Sequence, residues 1–174
     1  TQLAKPAVAL ITNAGAAHLE GLDSVEAVAR AKGEVFEGLD LTGVAVINAD
    51  DPYAPLWRKF AGSRRVVDFG LGAGAAVSAR YQLNPLNSKM TMTLPDGVEE
   101  VALQVPGEHN VRNALAAAAA AIAIGIGKEI IALGLSRFSG VKGRMQKKRG
   151  LHEATLIDDS YNANPESVRA ALAV

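Results

Sequence analysis

The sequence predicts an α/β fold, in which helices flank a largely parallel sheet that carries a small antiparallel insert. Short, continuous apolar runs alternate with helical stretches, and such runs are typical of buried parallel strands. Between residues 76 and 105, apolar and polar residues alternate around the hairpin signal Leu94-Pro-Asp-Gly97, which favours antiparallel strands. The 174 residues, of which 49% are hydrophobic and 21% are charged, suffice for one domain with a buried core.

The first half of the chain alternates between strand and helix. The apolar runs at 7–12, 43–48 and 65–69 each predict a buried strand. Between the first two runs, the Asp23-Ser24 start signal predicts a helix that runs to about Leu39. Between the second and third runs, Asp51-Pro52 opens a shorter helix, which a glycine ends at position 62.

Helix and turn signals organise the second half. The alanine-rich stretch 111–124 predicts a helix capped by the next glycine, and 128–138 predicts another helix. Residues 139–150 are polar and basic, which favours a loop. The apolar run 154–159 predicts a further buried strand, and Pro165 stands at the first position of a last helix.

The composition disfavours several functional classes. The absence of cysteine excludes disulfides, thiolate metal sites and a cysteine nucleophile. Eighteen basic residues balance eighteen acidic ones, so electrostatic capture of nucleic acid is not expected. The longest apolar run, 114–124, is shorter than the ~20 residues of a membrane span. No signal-peptide pattern opens the printed sequence, and we expect no membrane partner.

Polar side chains follow three of the predicted strands, where ligands of open α/β sheets bind. His18, with a nearby glutamate, could hold a divalent metal or could be an ordinary loop histidine. Asp50 and Asp51 could bind a cation, but aspartate is a strong N-cap and we favour capping of the helix that starts at Pro52. Residues 158–164 could take ribose hydroxyls and phosphates, or could form an ordinary turn.

Three further positions carry candidate chemistry. Lys32 is predicted to fall on the apolar face of its helix, although a lysine at the edge of that face that reaches water is the simpler interpretation. Asn110, at the start of the alanine-rich helix, could hydrogen-bond a planar heterocycle or simply cap the helix. Arg144 could clamp a phosphate, whereas the basic residues 147–149 are interpreted as solvated. The segment 125–128 is not a P-loop, because a glutamate follows its lysine.

Several spaced segments resemble the Mur ligases. In chain order they are the loop around His18, Ala31-Lys-Gly-Glu-Val-Phe36, Val46-Ile-Asn-Ala-Asp-Asp-Pro52, Pro106-Gly-Glu-His-Asn-Val-Arg-Asn-Ala-Leu-Ala116, Gly143-Arg144 and Asp158-Asp-Ser-Tyr-Asn-Ala-Asn-Pro165. The resemblance implies an ATP-dependent amide-bond ligase of peptidoglycan synthesis in the bacterial cytoplasm. The first and last segments resemble the branch that joins D-Ala-D-Ala to UDP-MurNAc-tripeptide through an acyl phosphate, and the parent protein would be a monomer.

The same resemblance implies how the nucleotide is held. Asn110 would hydrogen-bond the adenine of ATP, and His109 and Asn113 would shape that pocket. Arg144 would reach the phosphates, and Asp159 would take the ribose.

It also implies a magnesium site and a surface that faces the substrates. His18 and a carbamylated Lys32 would hold the Mg²⁺ ion. Tyr161, Asn162 and Asn164 would line the phosphate and substrate side.

The resemblance assigns residues 1–164 to part of the family's central ATP-binding domain, with the insert at about 76–105. Residues 165–174 would start its C-terminal domain. The family's P-loop strand, a magnesium-binding glutamate and the UDP-sugar domain would precede this segment, so we expect the segment alone to lack ligase activity and to self-associate. The alternatives are another Mur-type or folylpolyglutamate-type ligase, a non-catalytic nucleotide-binding module, or a nucleic-acid binder that uses the basic loop.

Overall fold

A parallel sheet forms the first layer of the fold. In the computed structural model, β1 (Val8–Ile11), β2 (Val44–Asn48) and β3 (Arg65–Phe69) pair in that order, and all pairs are parallel. The central strand β2 is buried along its whole length, as its continuous apolar run predicts. The structure describes residues 3–15, 23–72, 74–161 and 165–172.

Two helices cover one face of this sheet. They are α1 (Val25–Gly33), whose first turn is capped by the Ser24 hydroxyl, and α2 (Ala54–Ala61). The prediction that the first helix runs to about Leu39 is wrong for the residues after Gly33, because a 3-10 helix occupies Glu34–Gly38. This tighter turn places a phenylalanine, at position 36, in the core between the sheet and α2.

The insert is antiparallel, as the alternation of its residues predicts. Strands β4 (Ser78–Asn84), β5 (Asn87–Leu94) and β6 (Gly97–Leu103) pair in that order, and the first and last residues of the predicted hairpin signal face each other. Methionines at positions 90 and 92 point inward and are buried. The inner face of the insert therefore contributes to the main core.

The alanine-rich helix joins the two sheets. Helix α3 (Glu108–Ala123) packs against the parallel sheet and the insert, and α4 (Lys128–Arg137) packs against β6. The predicted glycine cap is confirmed: Gly125 has φ +81°, its N–H donates to the Ile122 carbonyl, and the next N–H reaches back to the Ala121 carbonyl. Small side chains on α3 allow this close approach of helix and strands.

The region after α4 departs from the prediction. The expected loop 139–150 contains β7 (Gln146–Arg149), which pairs antiparallel with β8 (Thr155–Asp158). The prediction that the latter strand is buried is wrong, because β7 is its only strand partner among the described residues and β8 is largely exposed. The last helix, α5 (Pro165–Leu172), begins at the predicted proline. No helix in the described part of the chain is long and apolar enough to cross a bilayer.

Candidate functional site

The carboxyl ends of the three parallel strands open into a cleft of about 370 Å³. The position is the one that parallel α/β sheets use for ligands. The first turns of α3 close the cleft on its other side. Its polar lining comes from Thr12, Asn13, Asn48, Asp50, Asp51, His109, Arg112 and Asn113.

Asn48, at the end of β2, shapes the floor of this strand-end cleft. Its side-chain amide nitrogen donates to the Thr12 carbonyl at 2.8 Å, and its Oδ1 accepts from the Asp50 N–H at 3.0 Å. The residue is only 6% exposed, so these bonds satisfy a buried polar group. They fix the ends of β1 and β2 relative to each other.

Asp51 holds a turn and does not cap a helix from Pro52 as predicted. Its carboxylate accepts from the Ala14 N–H at 2.8 Å and from the Tyr53 N–H at 2.9 Å. Its carbonyl accepts from the Ala54 N–H, where α2 begins. A turn at 51–53 therefore satisfies these amides and delays the helix by two residues.

Asp50 is the most highly connected acid in the cleft. Its carboxylate accepts from the N–H groups of Leu71 and Gly72 at 2.7 and 3.0 Å and from Arg112 at 2.6 Å. Burial opposes ionisation, but the two amides and the guanidinium together lower the pKa of Asp50. Both aspartates are thus engaged by protein donors, and the described residues contain no cluster of three or more acids and histidines that could hold a metal.

Arg112 also connects the cleft to the insert. Its Nε and Nη2 donate to one oxygen of Glu108 at 3.1 and 3.0 Å, and the other oxygen of Glu108 accepts from the Tyr81 hydroxyl at 2.5 Å. The Tyr81 hydrogen bond and then Arg112 lower the pKa of Glu108, while the bond to Glu108 raises the pKa of Tyr81. A continuous array of polar side chains, Tyr81, Glu108, Arg112 and Asp50, therefore runs from β4 to the end of β2.

An apolar slot of about 280 Å³ lies between α3, α4 and the end of β6. Asn110 and Asn113 are its polar members. The amide nitrogen of Asn110 donates to the Pro106 carbonyl at 2.8 Å, while Gly107 is the N-cap of α3, so the capping interpretation of Asn110 is wrong. The apolar walls come from Leu103, Val105, Ala114, Ala117, Leu135 and Phe138. Asn113 lines both the slot and the strand-end cleft, so the two spaces adjoin.

Lys32 lies in the last turn of α1, outside the buried face. That face consists of Val28, Ala29 and Gly33, so Lys32 does not lie on the apolar face. The simpler interpretation, a lysine that reaches water, is confirmed, because Lys32 is exposed. Its Nζ donates to the Asn13 carbonyl at 2.8 Å. Because Asn13 lines the strand-end cleft, the amine stands at the edge of that cleft.

Three other predicted residues form a group beyond the linings of the cleft and the slot. The Arg144 guanidinium lies 3.9 Å from the ring centroid of Tyr161, and Asp159 accepts from the Met145 N–H at 3.0 Å. Among the described residues, no hydrogen-bond acceptor pairs with the Arg144 guanidinium. His18, Asn162 and Asn164 lie outside the described residues.

The family description Mur ligase middle domain matches residues 1–121, from before β1 to near the end of α3. The chain belongs to the Mur ligase family. Its resemblance to that family, inferred from spaced motifs, is confirmed. The matched residues include the whole polar lining of the strand-end cleft.

Relatives and solved structures of Mur ligases extend the match to nearly the whole chain. The UDP-N-acetylmuramoyl-tripeptide–D-alanyl-D-alanine ligase of Escherichia coli (strain K12) is 39% identical over 174 residues, which are 99% of this chain and 38% of that protein. A crystal structure of MurF from Acinetobacter baumannii superimposes with a TM-score of 0.91 at 37% identity, over 97% of this chain and 37% of that one. The chain therefore spans less than two fifths of the length of these relatives.

A third comparison concerns a Mur ligase crystallised with a nucleotide. MurF from Thermotoga maritima in complex with ADP superimposes with a TM-score of 0.84, over 99% of this chain and 39% of that one. At 23% identity this match shows a shared fold.

Sequence reasoning did not foresee the contacts of two residues of this Mur ligase site. The roles of Asp50 and Arg112 were not predicted, although their positions follow a strand and open a helix. The spacing of Glu108 and Arg112 does indicate an i,i+4 ion pair. No local pattern indicates the bond from Arg112 to Asp50, because these residues are 62 positions apart.

His109 makes the stability of this Mur ligase segment pH-dependent. Burial lowers the pKa of His109 below its usual 6.5, and the nearby Asp159 opposes that shift only in part. The folded state therefore binds less proton than the unfolded chain below pH 6.5, so stability falls as the pH drops from about 7.5 to about 5.5. Urea unfolding at both pH values measures this, and the His109→Gln variant should depend less steeply on pH than the wild type. Equal slopes for the two proteins would contradict the assignment.

Proposed function

We propose that this chain binds the adenine nucleotide of an ATP-dependent ligase that joins D-Ala-D-Ala to UDP-MurNAc-tripeptide. The observation that carries the proposal is the junction at Asn113, where an apolar slot meets a polar cleft at the strand ends. A nucleotide has the same two-part character, with a flat base and a charged phosphate chain. The names of the Escherichia coli relative and of the ADP complex support the same assignment.

The base would occupy the slot. Its apolar walls suit the faces of a purine, and two asparagine amides at its border offer donors and acceptors to the purine edge. Because Asn110 already donates to the Pro106 carbonyl, its Oδ1 remains available to accept from an exocyclic amine. His109 and Asn113 would shape the mouth of the pocket.

The phosphates would lie toward the strand-end cleft. The first turns of α3 line this region, and a helix N-terminus favours anions. The Arg144 guanidinium, which stacks on Tyr161, would bring its donors to the phosphate chain. Asp159 would take the ribose hydroxyls, and Tyr161, Asn162 and Asn164 would line the phosphate and substrate side.

We infer that a magnesium ion would bind at the edge of the cleft. The accessible Lys32 amine at the Asn13 carbonyl would become an oxygen ligand on carbamylation, and Mg²⁺ prefers oxygen ligands. His18, outside the described residues, would complete the protein ligands. When bound, the ion would neutralise charge on the transferred phosphoryl group.

The longer protein would supply the rest of the reaction. The tripeptide carboxylate would attack the γ-phosphorus of ATP and release ADP, forming an acyl phosphate. The D-Ala-D-Ala amine would then attack the acyl carbon and expel phosphate as the amide bond forms. In this cytoplasmic, monomeric parent, residues 1–164 would belong to the central domain and residues 165–174 would start the next domain.

Calorimetric titration of the 174-residue chain with ADP and with ATP–Mg²⁺ tests the nucleotide site. We expect Asn110→Ala to weaken ADP binding by about tenfold or more, the loss expected for one buried hydrogen bond. Asn84→Ala is the matched control, because the Asn84 side chain bonds, within the described part of the chain, to Asn87 alone in the β4–β5 turn. The chain alone should release no phosphate from ATP when both ligase substrates are present.

Two results would overturn the proposal. Absence of ADP binding by the wild-type chain would refute the nucleotide site. Equal weakening by Asn110→Ala and Asn84→Ala would place the nucleotide elsewhere. ADP binding that falls steeply as the salt concentration rises, and that nucleic acid competes, would favour the alternative of a nucleic-acid binder that uses the basic loop.

A further inference from the structure

The start of α3 is bonded to side chains from two other segments, Asp50 after β2 and Tyr81 of β4. Arg112 spans two acids, with Nη1 at 2.6 Å from Asp50 and with Nε and Nη2 at 3.1 and 3.0 Å from Glu108. Glu108 in turn accepts from Tyr81 of the insert. A planar guanidinium that bridges two carboxylates holds them in a defined geometry, which a lysine cannot reproduce.

Asp50 is itself held rigidly at the end of β2. The N–H groups of Leu71 and Gly72 both donate to it. The backbone after β3 closes so tightly on the carboxylate that a Cβ atom at Gly70 would lie 2.6 Å from Asp50 Oδ1. Arg112 therefore pairs with an acid whose position is fixed by the sheet.

Helix α3 has no side-chain N-cap, and the Asn110 amide bonds to the Pro106 carbonyl just before the helix. Gly107, which has no side chain, stands at the N-cap. A side-chain cap at this place ordinarily satisfies the first amides and fixes where the helix begins. Here the ion pairs that Glu108 and Arg112 form in the first turns fix where the helix begins.

We infer that Arg112 is a positioning residue for nucleotide binding. By joining Asp50 to Glu108, it holds the first turns of α3 over the strand ends, and so it places Asn110 and Asn113 at the junction of slot and cleft. Tyr81 extends the anchor to the insert. This inference rests on the proposed nucleotide site, but its structural half applies to the free protein as well.

ADP titration of three variants tests the inference. Arg112→Ala should weaken ADP binding by about tenfold relative to the wild type. Arg112→Lys, which can keep only one of the two acid contacts, should bind ADP about threefold more tightly than Arg112→Ala. Arg30→Ala is the matched control, because Arg30 forms the same i,i+4 pair with Glu26 on an exposed face of α1. The control should bind ADP as the wild type does.

Amide hydrogen exchange in the free chain supplies the second readout. Arg112→Ala should accelerate exchange at residues 108–113 and leave the middle of α3 unchanged, at a temperature where circular dichroism shows every variant folded. Wild-type affinity together with wild-type exchange in this variant would overturn the inference. If the wild-type chain fails to bind ADP, the proposed function falls, and the exchange rates alone decide whether Arg112 positions the helix.

Discussion

Replacing Trp57 with alanine is expected to lower the free energy of unfolding by about 3–5 kcal/mol, the usual cost of removing a large core aromatic side chain. Trp57, on α2, is fully buried against α1 and the parallel sheet. Its indole N–H also donates to the Ala29 carbonyl at 2.9 Å. The substitution therefore opens a cavity and removes one hydrogen bond to the Ala29 carbonyl, and both changes favour the unfolded state.

Urea unfolding followed by circular dichroism measures this loss. Tryptophan fluorescence cannot follow the unfolding of Trp57→Ala, because the substitution removes the protein's single tryptophan. Trp57→Phe separates the two contributions, since it retains most of the apolar volume and loses only the hydrogen bond. A loss below about 1 kcal/mol for Trp57→Ala would contradict the packing described for this face.

The Asp50→Asn substitution is expected to lower the free energy of unfolding by about 2 kcal/mol, because charge-assisted hydrogen bonds to partly buried groups contribute at this level. The Leu71 N–H and Arg112 both donate to Oδ2 of Asp50, and the Gly72 N–H donates to Oδ1. An asparagine whose oxygen stays toward Leu71 and Arg112 presents its own donors to the Gly72 N–H, and it carries no charge to pair with Arg112. The pKa of Asp50 is lowered in the folded state, so its stabilisation is present above its ordinary value of 3.8 and is lost as the pH falls further. The difference between variant and wild type should therefore shrink in acid.

Asp40→Asn is the control for this experiment. Asp40 also accepts from a backbone N–H, that of Thr42, but it lies on an exposed loop. We expect a smaller loss than at Asp50, measured in the same urea titrations. Equal losses at the two positions would mean that the link from Asp50 to Arg112 contributes nothing to stability.

Much of the fold could be predicted from the sequence because its signals are local. The continuous apolar runs gave β1, β2 and β3, and the serine and glycine caps fixed one end each of α1 and α3. Part of the candidate site also follows from local rules, since the ends of parallel strands and the start of a helix are expected ligand positions. At the start of the helix these rules indicated Asn110, which lines the slot, whereas His109 and Asn113 were implied only by the family resemblance.

Other features depended on partners that no local pattern reveals. Lys32 has the spacing of an apolar-face residue, yet the helix tightens after Gly33 and the amine reaches the Asn13 carbonyl. The basic segment 146–149 looks like a solvated loop, yet it forms β7 because β8 offers a strand edge. Exposed charged residues are compatible with an edge strand, so composition alone could not distinguish the two.

The sequence by itself determined the order of strands and helices apart from β7, the antiparallel insert and the family, because periodicity, caps and spaced motifs act within short stretches of chain. Only the tertiary structure decided that Arg112 reaches Asp50, that Asp51 holds a turn and that Asn113 stands between slot and cleft. The physical reason is the same in each case. A side chain's partner is set by the direction in which packed elements meet, and that direction is a property of the whole core.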